Sequence, residues 1–348
     1  MAGYTKQIMV GGVAVGGGAP VTVQSMCTTP TEDPRSTLGQ IQRLAAAGCD
    51  IIRVAVPTME AARAIGQIKE RSPIPVVADI HFDHKLAIEA VERGADAVRI
   101  NPGNIGTEEN LRAVVRTCSL HNVPIRIGVN GGSLERRLLD EYGLTAEAMC
   151  ISALDKVRLL ESLDFDDICI SLKASDTALT VKACKMLAQQ TNYPLHLGVT
   201  ETGTEYMGLV KSSVGIGALL LDGIGDTIRV SLTADPEQEV RAGISILKAA
   251  GLKRDGVNII SCPTCGRTKI DLISAVREVE KELAGCRRDI TVAVMGCVVN
   301  GPGEARHADY GLAGGNGEGV IFKKGEVVGR FPENRLAAEL LALIERDN

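Results

Sequence analysis

The chain of 348 residues is too long for one ordinary core and fits a large domain plus a small one. Hydrophobic residues make up 45% but aromatics only 3%, with no Trp, so the core has to be built from Val, Ile, Leu and Ala, which suits a parallel α/β fold buried on both faces. A net charge of −5 argues against general nucleic-acid binding, so any anion site must be a local concentration of Arg and Lys.

The first 18 residues lack the apolar run of a signal peptide. Runs rich in β-branched residues follow at 21–26, 51–57, 74–81, 97–101, 124–130, 168–175, 194–200 and 227–233. Their starts lie 23 to 44 residues apart, room each time for one helix and two loops. Repeated β-then-α units imply right-handed crossovers and a parallel sheet. Eight of them over roughly 230 residues match a (β/α)8 TIM barrel, with an open doubly wound sheet as the competing arrangement. Asp33 with Pro34 and Asp235 with Pro236 read as helix starts, and Gly48 and Gly251 as the matching ends.

After Gly251 the pattern changes. Residues 257–261 read as a strand, 262–267 as a turn, 269–283 as an amphipathic helix and 289–295 as a second strand before a Gly-rich loop. A hairpin over 319–324 and 326–331 and a helix over 334–346 close the chain. The expected organisation is a barrel over 1–255 and a small α+β domain over 256–348. No run of 18 apolar residues occurs, so no membrane span is expected. Ten cysteines without a secretory signal point to a reducing, cytoplasmic setting, where Cys serves as a core residue or metal ligand.

Five barrel runs carry a cation where an apolar residue would pack better: Arg53, Arg99, Arg126, Lys173 and Arg229. An unpaired buried cation costs several kcal/mol, so the set calls for carboxylate partners or a shared anion. Asp79 and Glu201 are the available carboxylates. A purely structural ion-pair network is one reading. Because cations outnumber acids, and Arg forks suit phosphate oxygens, a phosphate-bearing ligand at the C-terminal ends of the strands is the preferred one. Asn101, Asn130, Ser171, Thr200 and Ser231 are short polar groups beside the cations that fit the same ligand. His81 reads as a phosphate donor, an acid or a strand cap. His196 is a weak signal taken alone. Gly215, Gly217, Gly223 and Gly225 lack the third glycine of a dinucleotide fingerprint and are read either as phosphate approach or as turns and packing.

Cys262 and Cys265 form a Cys-x-x-Cys on a turn after a strand, and Cys297 enters a second Gly- and Pro-rich loop. A zinc ribbon would take Cys286 as its fourth ligand. The alternative is a [4Fe-4S] cluster on three cysteines with Glu304 as an oxygen ligand. Cys27, Cys49, Cys118, Cys150, Cys169 and Cys184 read as small core residues, with Cys27 placed near enough to a strand end to face the site.

CPTCGR at 262–267 and MGCVVNGPGEA at 295–305, with VQSM at 23–26, ADIHF at 78–82, RINPGN at 99–104, RIGVN at 126–130, LHLGVTE at 195–201 and GIGDTIRVSL at 223–232, make the chain resemble the bacterial 4-hydroxy-3-methylbut-2-enyl diphosphate synthase family. The resemblance covers nearly the whole chain, in the shorter bacterial form, and departs from the family pattern at Cys27, where a polar residue is usual. It implies a TIM barrel followed by a sulfite-reductase-like cluster domain. It also implies reductive ring opening of 2-C-methyl-D-erythritol 2,4-cyclodiphosphate in the non-mevalonate isoprenoid pathway, with electrons from flavodoxin or ferredoxin. By the same resemblance, Cys262, Cys265, Cys297 and Glu304 hold the cluster and Glu201 delivers a proton. The five cations grip the diphosphate with Asp79, His81, Asn101, Asn130, Ser171, Thr200 and Ser231 around them, and the enzyme is a head-to-tail homodimer. Two other readings are a barrel lyase or aldolase with Lys173 as Schiff-base former and a structural zinc domain, and a non-catalytic phosphometabolite sensor.

Overall fold

The computed structural model describes residues 4–254, 256–297 and 304–347, with Glu304 described by its backbone alone. The chain forms two compact units, Met1–Lys253 and Arg254–Asn348. No helix among the described residues is long and apolar enough to cross a membrane.

The first unit opens on an antiparallel hairpin, β1 (Ile8–Val10) and β2 (Val13–Val15), that the sequence reading did not anticipate. Eight parallel strands follow: β3 (Thr22–Met26), β4 (Ile51–Ala55), β5 (Val76–Asp79), β6 (Ala97–Ile100), β7 (Ile125–Asn130), β8 (Ile168–Lys173), β9 (His196–Leu197) and β10 (Thr227–Ile228). They pair in the order β8-β7-β6-β5-β4-β3-β10-β9, and a parallel bridge between Ile170 and Leu195 closes the ring. The eight expected strands therefore make a barrel rather than an open sheet. Each is followed by a helix that packs outside it. Asp33 caps the first of these, Pro34–Ala46, by accepting from the Ser36 N–H at 3.1 Å. The 44-residue step before β8 is filled by a one-turn helix (Gly131–Ser133), a short helix (Arg136–Tyr142) and the long helix Ala146–Glu161.

Side-chain alternation divides the strands. Ile52, Val54, Ala78, Ile80, Val98, Ile100, Ile127, Ile170 and Leu172 join the helices in the main core. The alternate positions face inward. At the N-terminal end these are Ile51, Val77, Ala97 and Cys169, which pack against Ile8, Val10 and Val15 of the hairpin. The hairpin is thus an apolar plug under the barrel.

Strands β9 and β10 are much shorter than the runs at 194–200 and 227–233 suggested. Two side chains take backbone groups that a longer ladder would have used. The Thr202 hydroxyl donates to the Ser231 carbonyl, and the Leu232 N–H donates to Glu239 Oε1 at 2.8 Å. Gly215 and Gly217 lie within the helix Glu205–Leu221, and Gly223 and Gly225 turn the chain before β10, at the opposite end from the C-terminal ends of the strands. The phosphate reading of these glycines is corrected: they serve packing and turns.

The second unit carries one five-stranded sheet in the order β11 (Val257–Ser261), β12 (Ile290–Met295), β13 (Tyr310–Gly314), β14 (Glu318–Lys323) and β15 (Glu326–Pro332). The first two pairings are parallel and the last two antiparallel. Helices Leu272–Leu283 and Leu336–Arg346 cover one face with the main core of this unit, and Ala305 and Ala308 pack on the other beside Met295 and Phe322. Strand β13 was hidden in sequence by its glycines. Gly311 is required because the Phe322 ring occupies the space of a Cβ.

One device recurs in both units. Asp50, Asp96, Asp226 and Asp309 each directly precede a strand, and each accepts a backbone N–H within one residue of the start of the neighbouring parallel strand, at 2.7 Å from Val23, 2.7 Å from Val76, 2.8 Å from Leu195 and 2.9 Å from Thr291. A carboxylate thus sets the start of each pair. Asp96→Ala, which strands the Val76 N–H, is expected to cost about 1–3 kcal/mol, read as a lower urea midpoint, with Asp96→Asn closer to wild type. An unchanged midpoint for the alanine variant would show the contact to be neutral.

Candidate active site

Above the plug the barrel interior is polar. Inward positions place Gln24 and Met26 on β3, Arg53 on β4, Asp79 on β5, Arg99 on β6, Arg126 on β7, Ser171 and Lys173 on β8, His196 on β9 and Arg229 just past β10. Register brings Met26 beside Arg53, Asp79 beside Arg99, Arg99 beside Arg126, and Asn130 beside Lys173. All five predicted cations therefore share one enclosure, at and below the C-terminal ends of the strands.

Asp79 is the central anion. It is 3% exposed, with Oδ1 at 3.3 Å from Arg99 Nη1 and Oδ2 at 3.6 Å from Arg53 Nε and 3.7 Å from His81 Nε2. Burial alone would raise its carboxyl, but Arg53, His81 and Arg99 overcome that and hold it well below the usual carboxylate range. Arg53 also rests its Nη2 on Met26 Sδ at 2.9 Å. Arg126 donates from Nη1 to Gln24 Oε1 at 2.5 Å, while its Nε and Nη2 are buried without a partner among the described residues. Arg229 faces Glu239 Oε2 from Nη2 at 3.6 Å, and its Nε is likewise buried without a partner. Lys173 has no hydrogen-bond or ion-pair partner among the described residues.

Five cations thus face two carboxylates, Asp79 and Glu239. The strain is electrostatic. Burial, then the charges of Arg229, Arg53, Arg126 and Arg99, push the Lys173 ammonium well below its ordinary range. Burial lowers Arg126 to about 10. Buried His196, with Nδ1 3.4 Å from the Thr227 hydroxyl, is held neutral by burial first and then by Lys173 and Arg126. A polyanion entering this enclosure would supply the missing charge and satisfy the orphan N–H groups. An internal ion-pair network alone leaves both unmet.

The neutral predicted residues divide. Ser171 spends its hydroxyl proton on the Ile127 carbonyl at 3.2 Å, and Asn101 Oδ1 caps the one-turn helix Pro102–Asn104 through the Gly103 N–H at 3.2 Å. Asn130, Thr200 and Ser231 are half-buried at the strand exits, Glu201 is exposed with a left-handed φ of 52°, and His81 is exposed at the rim. Cys27 does not face the site. It belongs to the main core, where burial pushes its thiol up to about 12. Sequence reasoning missed Gln24 and Met26, whose signal was their shared parity in VTVQSM, and Glu239, which sits on a helix outside the strands. It also missed the buried Lys156, which bonds Glu135 and Ser152 behind the Asn101 turn.

In the second unit, Cys262 follows the end of β11 and Cys297 lies two residues past the end of β12. These strands are parallel neighbours, so their C-terminal ends lie side by side. The Gly296 N–H donates to Cys262 Sγ at 3.2 Å, a contact that suits a thiolate. Cys265 is exposed, and the Arg267 backbone N–H, followed by Thr268 and the Arg267 charge, lowers its thiol. Cys286 belongs elsewhere. It adjoins Arg287, whose carbonyl meets Gly256 at the start of β11, one strand length or about 16 Å from the other end. The four-cysteine zinc set is therefore not assembled. Cys262 and Cys297 leave the same sheet edge and Cys265 follows Cys262 on its turn, a donor set whose chemistry fits a thiolate-bound cluster needing one further ligand. Among the described residues no group of three His, Cys, Asp and Glu side chains is drawn together as metal ligands, and the Glu304 side chain lies outside those residues.

Two family models match: the GcpE TIM-barrel domain over residues 5–244 and the GcpE protein C-terminal domain over 258–346. The chain is 59% identical over 347 residues to 4-hydroxy-3-methylbut-2-en-1-yl diphosphate synthase (flavodoxin) of Geobacter sulfurreducens, covering 99% of this chain and 98% of that protein. It is 55% identical over 342 residues to the protein of the same name from Clostridium perfringens, covering 98% of each. Among solved structures, the dihydropteroate synthase of Yersinia pestis superposes with a TM-score of 0.51 at 12% identity, covering 70% of this chain and 98% of that one, a likeness of barrel fold alone.

Gly128 tests the cation enclosure. A Cβ there would overlap the Arg99 guanidinium. Gly128→Ala is expected to weaken pyrophosphate binding about tenfold or more by displacing that fork while circular dichroism stays native. Wild-type affinity would remove Arg99 from the anion site.

Proposed function

Because the chain belongs to the GcpE family of 4-hydroxy-3-methylbut-2-enyl diphosphate synthases, we propose that it reductively opens 2-C-methyl-D-erythritol 2,4-cyclodiphosphate to the linear allylic diphosphate in the non-mevalonate isoprenoid pathway. Two electrons enter, the ring C–O bond to phosphate breaks and a hydroxyl leaves as water. The observation that carries this reading is the enclosure of five cations against two carboxylates, matched to a small cyclic diphosphate.

Arg53, Arg99, Arg126, Lys173 and Arg229 bind the diphosphate and take up the charge that ring opening releases on the leaving phosphate oxygen. Bound anion restores the Lys173 ammonium that its neighbours disfavour. Asp79 fixes Arg53 and Arg99 in place. His81, Asn101, Asn130, Ser171, Thr200 and Ser231 orient the sugar carbons and phosphate oxygens, and Glu201, exposed four residues past the end of β9, delivers the proton to the departing hydroxyl.

Cys262, Cys265, Cys297 and Glu304 are the proposed ligands of a [4Fe-4S] cluster, which supplies the electrons and a Lewis-acidic iron when bound. Flavodoxin, which the relatives' names carry, is the proposed donor, with ferredoxin as the alternative. Residues 1–255 then form the substrate domain and 256–348 the cluster domain. A head-to-tail homodimer completes the reading, in which one subunit's cluster domain serves its partner's barrel. The groove lined by Leu209, Val214, Leu221, Ala242 and Ile246 on helices Glu205–Leu221 and Pro236–Ala249 supports association. A cytoplasmic location agrees with thiolate ligands that persist in a reducing compartment.

Anaerobically purified protein is expected to hold about four irons and four acid-labile sulfides per chain. Stoichiometric zinc without sulfide would sink the assignment and favour the aldolase reading, which requires borohydride to trap substrate on Lys173. Glu304→Ala is expected to lose cluster on desalting, and full iron content with full activity would take Glu304 out of the ligand set.

A further inference from the structure

The last barrel strand ends in an arrangement that involves the helix after it. Leu232 lies just beyond Arg229 and Ser231, and its N–H donates to Glu239 Oε1 at 2.8 Å. The second oxygen of the same carboxylate, Oε2, faces Arg229 Nη2 at 3.6 Å. Glu239 projects from the first turns of the helix Pro236–Ala249 and is 6% exposed. Asp235, at the N-cap of that helix, makes no side-chain cap bond. Glu239 is therefore the carboxylate that ties the strand exit to the helix.

We propose that Glu239 is a positioning residue for substrate binding: it holds Arg229 from one side through Nη2, so that the remaining N–H groups face the phosphate, and it fixes through Leu232 the backbone from which Ser231 reaches the same ligand. The inference rests on the assignment of Arg229 to the substrate site. Three observations support it. Arg229 Nε is buried and has no partner among the described residues, so the guanidinium is held with a donor to spare. The β10 ladder ends after Ile228, so side chains and not a neighbouring strand define the path of 231 and 232. Burial raises the Glu239 carboxyl while Arg229, the Leu232 N–H and Lys173 favour its charged form, so its charge depends on the cations it orders. Glu239 touches no reacting atom and acts through Arg229 and the Leu232 backbone.

The test is calorimetric titration of the cyclic diphosphate into cluster-loaded, oxidised protein without an electron donor, so that binding is read without turnover. Arg229→Ala is expected to weaken binding at least about tenfold, and Glu239→Gln about tenfold, with the Arg229→Ala/Glu239→Gln double variant no weaker than Arg229→Ala alone. The glutamine oxygen still accepts from Leu232, so the melting temperature should stay within a few degrees of wild type. Glu239→Gln binding as tightly as wild type, or more tightly because a negative charge has gone, would overturn the inference. Additive losses in the double variant would overturn it too, by showing a role independent of Arg229. Wild-type affinity in Arg229→Ala alone would instead remove Arg229 from the site, the assignment on which the inference stands. If Glu239→Gln does not fold, Glu239→Asp keeps the charge but is one methylene too short to span both partners. Its affinity is expected to fall below wild type, and equal affinity would refute the positioning role.

Discussion

The structure of the first unit turns on a buried surplus of positive charge. TIM-barrel interiors are ordinarily filled by layers of branched apolar side chains. Here the apolar inward side chains gather at the lowest level, and the levels above, Met26 apart, carry guanidinium, ammonium and other polar groups. Asp79 makes this tolerable by meeting Arg53 and Arg99 together, and Glu239 does the same for Arg229 from a helix. Other choices follow from the need to house those forks. Gly128 and Gly198 lack side chains where Arg99 and Lys173 need room, and Gln24 and Met26 offer soft or neutral acceptors to Arg126 and Arg53. Five cations meet two carboxylates and leave guanidinium N–H groups without partners among the described residues, which is the physical ground for reading the enclosure as an anion site.

Much of this was legible in the sequence. The eight β-branched runs stood at spacings that only β-then-α repeats satisfy, and the cations stood out because strands buried on both faces seldom carry them. The missed features share a cause. The hairpin Ile8–Val15 is too short to show alternation against its glycine-rich surroundings, and β13 is YGLAG, where glycines make room for Phe322 and hide the strand pattern. The overextended ends of β9 and β10 failed for a different reason. LHLGVT and TIRVSLT have strand composition throughout, but Thr202 and Glu239 bond the backbone there, a tertiary effect that local propensity does not encode. Glu239 itself was invisible as a site residue because helix glutamates are usually solvent-facing, and only the fold turns this one inward.

The second unit reaches its chemistry by topology. A parallel pair of strands brings two chain ends to the same edge, so Cys262 and Cys297 become neighbours although 34 residues separate them in the chain. The same topology puts Cys286 at the far end of β11, which is why four cysteines in one sequence window do not make one four-sulfur centre. Spacing nominated four cysteines, and strand direction separates Cys286 from the edge that Cys262 and Cys297 share. The repeated aspartate that opens each neighbouring pair, seen at Asp50, Asp96, Asp226 and Asp309, is part of how that direction and register are set in both units.

The hairpin beneath the barrel has a consequence for traffic. Ile8, Val10 and Val15 stop the lower end, leaving a void of about 20 Å³ below Gln24 and Arg126, enough for a single water. The barrel is a tube with one door. Whatever reaches the cations must come and go through the strand exits, so the departing molecule and the next arrival compete for one passage, and water displaced by an incoming anion has to leave against its direction of entry.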